Sequence, residues 1–259
     1  MLKQSFYYPL FLRAEMSLDT LCREAAGLGY QGVETWWAHD EAFPRLVDAA
    51  KAHGLTIASL CGHQSLTMGM NRRQEHARIL AELRQSLDVA HRLGIPNLIC
   101  FSGDRHDGQS DREGLEACAA CLARIADDAA AAGVTLNIEL LNSKVERPAY
   151  QCDHISWAVE LCRRLNHPRV KLLFDIYHVQ IMDGDIIRNL RDNIGYIGHF
   201  HTAGNPGRRD LDQEQELNYP AICRAIAATG YTGFVAHEFT PKADPIEALR
   251  AAFAACEGR

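Results

Sequence analysis

The sequence predicts a single (β/α)8 TIM barrel, and three observations predict it. The chain has 259 residues, close to the roughly 250 that one barrel typically needs. One junction recurs: a helical stretch ends, a glycine follows, and a β-branched apolar run begins. No G-x-G-x-x-G or P-loop follows the first predicted strand, which disfavours an open doubly wound sheet. We therefore expect one domain over residues 1–259.

Eight strands are predicted from these junctions. Glycine accepts the left-handed backbone that ends a helix, and five strands follow such a residue, namely Gly29, Gly54, Gly94, Gly133 and Gly230. Strands six and seven follow His167-Pro168 and Asn193, and the first strand is expected near residues 5–9. These runs are short and nearly continuously apolar, as expected for strands that are buried on both faces.

The helices expected between the strands show a 3.6-residue period. In the helix before strand four, the apolar residues share one side, and they are Ile79, Leu80, Leu83, Leu87 and Ala90. Ser17 is the predicted N-cap of the first helix. The nine cysteines are scattered, and Cys118 and Cys121 form a CxxC in an Ala-rich helix without a second CxxC. Buried free thiols are therefore predicted, rather than a zinc site or a disulfide framework.

Charge and hydropathy restrict the class of protein. The net charge of −6 and the pI near 6.0 do not indicate the basic face that nucleic-acid binding usually needs. The apolar start is interrupted by Pro9 and Arg13, so residues 1–13 are predicted as strand and loop, not signal peptide. No run approaches the roughly 18 apolar residues of a membrane span. We expect a cytoplasmic protein without membrane or nucleic-acid partners, and the sequence leaves homo-oligomerisation open.

Four strands in the second half of the chain each end in a potential metal ligand, and these are Glu139, Asp175, His201 and Glu238. Their spacings of 36, 26 and 37 residues approximate one β–loop–α unit of about 30 residues. They therefore fall one per strand on strands five to eight, whose carboxyl ends build the active site of a barrel. We expect them to hold one divalent cation, Mg²⁺, Mn²⁺ or Zn²⁺.

Two of these groups, Glu139 and Glu238, are expected to face each other across the site. That arrangement suits proton transfer next to a carbonyl group, because one glutamate can remove a proton from carbon and the other can return it. A cation would stabilise the oxyanion of the enediolate that forms between the two steps. The substrate would be a small hydroxy-carbonyl or sugar-like molecule.

Several motifs resemble the xylose isomerase-like barrels, and within them the hydroxypyruvate isomerase group and its ketose 3-epimerase relatives. These motifs are Glu139-Leu-Leu-Asn142, Phe174-Asp175-Ile-Tyr-His178, residues 198–208, Glu216-Leu-Asn-Tyr219 and His237-Glu238-Phe239. The resemblance covers nearly all the chain. It implies metal ligation by the four groups above, acid–base roles for Glu139 and Glu238, and substrate contacts from His178 and Arg208. His201 matches the epimerases, since the hydroxypyruvate isomerase group often has glutamine there.

Further residues are candidate substrate contacts. Arg208 directly follows a ligand-bearing strand, and its guanidinium can grip a carboxylate such as that of hydroxypyruvate through two hydrogen bonds. Asn142 closes the strand-five motif, and His63 follows the third strand. Weaker candidates are a second arginine and two tryptophans, Arg209, Trp36 and Trp37, while His106 is expected to be a solvated loop residue.

The best prediction is a metal-dependent isomerase that converts hydroxypyruvate to tartronate semialdehyde. A ketose 3-epimerase, or another sugar or sugar-acid isomerase, is the first alternative. An endonuclease IV-type DNA repair enzyme would need an Asp-x-His pair after strand seven, where the chain has Arg209-Asp-Leu-Asp212. A non-catalytic sugar-binding barrel is the last alternative, since a fold alone implies no reaction; the paired glutamates argue against it.

Overall fold

The computed structural model describes residues 1–257 and closes eight parallel strands into a barrel in sequence order, with β1 paired to β8. The strands are β1 (Lys3–Tyr7), β2 (Gly32–Glu34), β3 (Thr56–Cys61), β4 (Asn97–Cys100), β5 (Thr135–Glu139), β6 (Val170–Asp175), β7 (Ile197–Thr202) and β8 (Phe234–His237). The predicted fold class, a (β/α)8 TIM barrel, is confirmed. Residues 258–259 of the expected domain lie outside the described residues.

Helices cover the outside of the barrel. Those within residues 1–257 are α1 (Tyr8–Phe11), α2 (Leu18–Leu28), α3 (Phe43–Ala52), α4 (His76–Leu93), α5 (Asp111–Leu122), α6 (Ala126–Ala132), α7 (Ile155–Leu165), α8 (Ile176–Met182), α9 (Ile186–Asn193), α10 (Tyr219–Ala228) and α11 (Pro245–Ala255). Within this described part of the chain, no helix combines the length and the apolar character that crossing a membrane requires.

The predicted element boundaries are largely confirmed. The side chain of Ser17 accepts a hydrogen bond from the backbone N–H of Thr20 and so caps α2. All five predicted junction glycines have positive φ, between 68° and 107°. The prediction for the first strand was wrong at its end, because β1 stops at Tyr7. Pro9 instead lies in the first turn of α1, where its missing N–H costs no helical hydrogen bond.

The main apolar core lies between the barrel and the helices. The five apolar residues predicted to line one side of α4 are all buried there. The nine cysteines are buried and free, as predicted. Inside the barrel the packing is partly polar, because fully buried Ser5, Glu34, Ser59 and His199 lie there beneath the carboxyl ends of the strands. A polar layer of this kind gives side chains at the mouth hydrogen-bonding support.

Candidate active site

Four predicted ligands converge at the carboxyl end of the barrel. Glu139 and Asp175 are the last residues of β5 and β6, His201 lies near the end of β7, and Glu238 directly follows β8. Each offers one ligand atom, and these four atoms all lie within 4.8 Å of one another. All four residues are buried. The four side chains therefore lie together at one end of the barrel, as the sequence predicted.

The ring of His201 is oriented with Nδ1 toward the three carboxylates. Nδ1 lies 3.1 Å from Oε2 of Glu238, 3.5 Å from Oε1 of Glu139 and 4.0 Å from Oδ2 of Asp175. The other ring nitrogen, Nε2, lies 3.2 Å from Oε2 of Glu34. The imidazole thus spans from the mouth of the barrel to its polar interior.

The donor set fits a divalent cation. Three carboxylates and one imidazole nitrogen, buried and mutually close, match the ligands that Mg²⁺, Mn²⁺ and Zn²⁺ accept. Burial, and then the charge of Glu238, raise the pKa of Glu139, while burial raises the pKa of Asp175 to about 7. Crowded buried carboxylates need positive charge nearby. A cation held by Glu139, Asp175, His201 and Glu238 would provide it.

Arg208 reaches the same cluster from the loop after β7. Its Nη2 donates to Oε2 of Glu238, and its Nη1 lies 3.3 Å from Oε2 of Glu146. Tyr177 donates its hydroxyl hydrogen to Oε1 of Glu146 at 2.7 Å, and the guanidinium carbon lies 5.9 Å from the centre of the Tyr177 ring. Burial raises the pKa of Glu238, but Arg208 and His201 outweigh it and hold the value at about 2.

His178 presents a hydrogen-bond donor to the site. Its Nδ1 accepts from the backbone N–H of Asn142 at 3.0 Å and faces the Asn142 side-chain Nδ2 at 2.7 Å. These contacts assign the proton to Nε2, which is buried without a hydrogen-bond partner among the described residues and lies 3.8 Å from Oδ2 of Asp175. Burial, and then the charge of Arg208, lower the pKa of His178 well below its usual value. The ring is therefore a neutral N–H donor.

Asn142 supports the site from its edge. Its side-chain Oδ1 accepts hydrogen bonds from the backbone N–H groups of Val145 and Glu146, at 3.0 and 2.9 Å. With its Nδ2 on His178, both ends of the amide are engaged within the protein. The structure thus gives Asn142 contacts that hold the loop carrying Glu146. A direct substrate contact stays a prediction.

His63 lies apart from the four ligands. Its Nε2 accepts the backbone N–H of Phe101 at 2.9 Å, and its ring packs edge-on against the Phe101 ring. It lines a cavity of about 160 Å³ together with Trp37, Glu82 and Ser86, between the loops after β2 and β3 and helix α4. His63 belongs to neither group of potential metal ligands within residues 1–257. Its proposed substrate contact stays a prediction.

The weaker candidates are distributed around the rim. Arg209 donates to the carbonyl of Pro241 at 3.3 Å and so holds its own loop. Trp36 packs edge-on against Tyr7 with ring centroids 5.0 Å apart, and Trp37 stacks on Trp36. His106 lines a separate polar depression at the outer surface, as expected of a loop residue.

Four residues of the site were missed by sequence reasoning, and they are Tyr7, Glu34, Glu146 and Tyr177. Tyr177 lay inside a quoted motif, whereas Glu146 lies in a loop with no strand to locate it. The hydroxyl of Tyr7 is buried without a hydrogen-bond partner among the described residues. Burial, and then the negative charges of Cys61 and Glu238, raise its pKa. Tyr7 lies two residues after Ser5 on β1, so its side chain shares the inner face of the barrel with Ser5. Tyr7 could have been found from its position, because it is the last residue of β1 and β1 pairs with β8, the strand that precedes Glu238.

A buried carboxylate and imidazole cluster at the carboxyl mouth of a closed (β/α)8 barrel is the architecture of a TIM-barrel enzyme. The profile of the family described as "Xylose isomerase-like TIM barrel" matches residues 22–256. The chain belongs to this family.

Curated relatives carry isomerase names. A human protein named "Putative hydroxypyruvate isomerase" is 30% identical over 245 residues, which cover 90% of this chain and 87% of the relative. A protein of Cupriavidus necator named "2-oxo-tetronate isomerase" is 30% identical over 228 residues, 85% of each chain. The family is thus one of enzymes, and relatives that match most of this chain are named as isomerases.

Solved structures agree on the fold. A structure described as AP endonuclease, family 2, from Brucella melitensis is 28% identical and superposes with a TM-score of 0.84 over 98% of both chains. A structure described as L-ribulose 3-epimerase is 20% identical, with a TM-score of 0.82 over 99% of this chain and 95% of that one. The second likeness shows the fold alone.

Proposed function

We propose that this protein is a metal-dependent isomerase of small 2-oxo acids with a neighbouring hydroxyl group, and that hydroxypyruvate is its substrate. The observation that carries the proposal is the convergence of Glu139 and Glu238 on Nδ1 of His201, with the guanidinium of Arg208 beside Glu238. Two carboxylates supply an acid–base pair, and an arginine supplies a partner for a substrate carboxylate. The names of the human and Cupriavidus necator relatives support the same class of substrate.

The acid–base step follows from the positions of the two glutamates. One glutamate removes a proton from C3 of hydroxypyruvate, and the other delivers a proton to C2, while the hydroxyl proton passes from O3 to O2. The product, tartronate semialdehyde, has the same atoms as the substrate. A divalent cation held by Glu139, Asp175, His201 and Glu238 would supply positive charge for the developing oxyanion.

The neutral His178 ring and Arg208 orient the substrate. The Nε2–H of His178 points into the site without a protein acceptor among the described residues, so it can donate to a substrate oxygen where negative charge develops. The guanidinium of Arg208 has two nitrogens already engaged by carboxylates, Glu146 and Glu238. A substrate carboxylate is the same type of partner, and it would bind at this arginine.

Hydroxypyruvate in heavy water tests the proposal. The metal-loaded protein should form tartronate semialdehyde with deuterium at C2, because the delivered proton equilibrates with solvent at the glutamate. Glu139→Gln and Glu238→Gln should each lower turnover by about 100-fold or more, the usual size of an acid–base contribution. Absence of both the isomer and deuterium uptake with hydroxypyruvate would reject the substrate. A 2-oxo-tetronate should be tested beside it.

A ketose 3-epimerase is the second candidate, and His201 favours it. The sequence resemblance places histidine at this position in the epimerases, and the fold of L-ribulose 3-epimerase is similar. The same pair of glutamates can remove and return a proton at one carbon on opposite faces. A ketose that gives its C3 epimer faster than hydroxypyruvate gives its isomer would promote this function.

Two other functions receive less support from the site. In the loop after β7, Asp212 is paired with Lys242 at 2.7 Å, and it does not reach the cluster of four ligands. An endonuclease with three metal ions would need more ligands than this loop offers, and one bound ion per chain would exclude it. A sugar-binding barrel without activity would show tight ligand binding that Glu139→Gln leaves unchanged, with no turnover by the wild type.

A further inference from the structure

Glu34 is a fully buried carboxylate beneath the four ligands, and four donors saturate it. Its Oε1 accepts from the hydroxyl of Ser5 at 2.6 Å and from Nε2 of His199 at 3.0 Å. Its Oε2 accepts from the hydroxyl of Ser59 at 2.7 Å and from Nε2 of His201 at 3.2 Å. A carboxylate has about four lone-pair sites, so every acceptor position of Glu34 is filled.

Three strands bring these donors to Glu34 at the end of β2. Ser5 comes from β1 and Ser59 from β3, while His199 and His201 share the inner face of β7 because they are two residues apart. The register between β2 and β3 shifts at Val33/Glu34, so that Glu34 pairs with Ser59. The carboxylate is therefore held from both neighbouring strands and reaches across the barrel to β7.

The contact with His201 determines which of its nitrogens is free. Glu34 accepts a hydrogen bond from the Nε2–H of His201. When a cation displaces any proton from Nδ1, that nitrogen presents its lone pair to the cation. Nδ1 is the nitrogen that faces Glu139, Asp175 and Glu238. Metal-binding histidines commonly donate their second N–H to a carboxylate, which sets the tautomer and the ring orientation.

We propose that Glu34 is a positioning residue that holds His201 with Nδ1 toward the cation, a role that rests on the cation site of the proposed function. The group of Glu34, His199 and His201 is then a hydrogen-bonded support and not a second cation site, although its atoms also lie within 4.8 Å of one another. A cation there would have to displace imidazole or serine hydrogens from a carboxylate that has no exposed surface.

Calorimetric titration of Mn²⁺ into metal-stripped protein tests this role. The wild type should bind one ion per chain, and Glu34→Gln should bind one ion with an affinity 10- to 100-fold lower, the size expected for loss of such a partner. The amide of glutamine presents either a second donor to His201 or a poorer acceptor. The reduction should therefore appear in the affinity and not in the number of ions.

Asp153→Asn is the matched control. Asp153 is also a buried carboxylate, and it pairs with both Nη1 and Nη2 of Arg105 outside the cluster of four ligands. Both Asp153→Asn and Glu34→Gln lose buried hydrogen bonds, so both should lower the melting temperature of the metal-free protein. Asp153→Asn should nevertheless leave the Mn²⁺ affinity within about threefold of the wild-type value. A loss of affinity in both variants would assign the effect to general destabilisation and overturn the proposal.

A second measurement requires no variant. In the Mg²⁺-loaded wild type labelled with ¹⁵N-histidine, long-range ¹H–¹⁵N spectra should show His201 with a proton on Nε2 and none on Nδ1. The opposite tautomer would overturn the proposal. So would two bound ions of which Glu34→Gln removes one, or unchanged affinity in that variant. If the wild type bound no divalent cation, both the role of Glu34 and the proposed function would be overturned. If the wild type bound one ion and Glu34→Gln did not weaken that binding, only the role of Glu34 would fail.

Discussion

Oε2 of Glu238 contacts two nitrogens, Nδ1 of His201 at 3.1 Å and Nη2 of Arg208. His201 belongs to the cation cluster, and Arg208 belongs to the loop that we propose binds the substrate carboxylate. At the scale of single residues, Glu238 therefore connects cation binding to substrate binding. Changes at Arg208 should affect the substrate far more than the cation, because Arg208 is not itself a ligand.

Arg208→Lys should raise the KM for hydroxypyruvate by about 10- to 100-fold. Hydrogen bonds to charged groups contribute about 1.5–3 kcal/mol, and a lysine cannot reproduce the planar two-nitrogen contact. Steady-state kinetics should show this change, while Mn²⁺ affinity stays within severalfold. Arg209→Lys is the neighbouring control, since Arg209 donates to the carbonyl of Pro241, and its kinetics should stay near wild type. Equal effects of the two substitutions would contradict the assignment.

Cation affinity should fall as the pH is lowered through 7. Burial raises the pKa of Asp175 to about 7 in the metal-free protein, so a proton competes with the cation for this carboxylate. Below that pKa, each unit of pH should weaken binding by up to about tenfold, and above it this group should have no further effect. Titrations between pH 5.5 and 8.5 in two buffers of different ionisation enthalpy would show the released proton. An affinity that is flat across this range would contradict the prediction.

At the scale of elements, the strand ends explain both what the sequence predicted and what it missed. Glu139, Asp175, His201 and Glu238 could be found because each follows an apolar run, and because neighbouring strands of a barrel bring successive ends together. Glu34 also ends a predicted strand, but two of its partners, His199 and His201, lie across the barrel on β7, and its pairing with Ser59 depends on a register shift. Spacing along the chain carries no information about such a contact.

The pattern of a polar residue at the end of an apolar strand does not locate residues in loops. Glu146 reaches Arg208 because Asn142 accepts two backbone N–H groups and folds the loop after β5 back toward the site. Arg208 itself has a φ of 54°, an unusual backbone for a residue with a side chain. Neither feature follows from periodicity. The resemblance to a family located Arg208 and His178, whereas the residues that hold them were visible only in the structure.

Asp175 has a second role at the start of α8, which can be separated from cation binding. Its Oδ1 accepts from the backbone N–H groups of Tyr177 and His178, at 2.9 and 3.1 Å, and Oδ2 faces His201. Asn is as good an N-cap as Asp, and Ala is not, so metal-free Asp175→Ala should be about 1 kcal/mol less stable than Asp175→Asn. Urea unfolding of the two metal-free variants measures this difference. Equal stabilities would contradict the capping role.

At the scale of the whole molecule, the fold was accessible from the sequence because each repeated unit carries its own signals. The junction glycines have the left-handed backbone that was predicted, and the periodic face of α4 is buried. The signals were weaker inside a unit. The Ala-rich helix was predicted around Cys118 and Cys121 without an end, and the structure has two helices there, α5 and α6. Alanine is the commonest residue in these two helices, and as the strongest helix former it does not mark an interruption.

Cation removal should lower the stability of the entire barrel, because the four ligands come from four successive strands, β5 to β8. A ligand that binds only the folded state stabilises it by about 2.7 kcal/mol at 100 times its Kd. For a domain of this size, 1 kcal/mol corresponds to a shift in Tm of roughly 2–4 °C. Scanning calorimetry with Mn²⁺ at that excess should therefore show a Tm about 5–10 °C higher than with a chelator. Glu238→Gln should lose most of this shift while its metal-free Tm changes much less, and an equal shift in the variant would mean that the ion binds elsewhere.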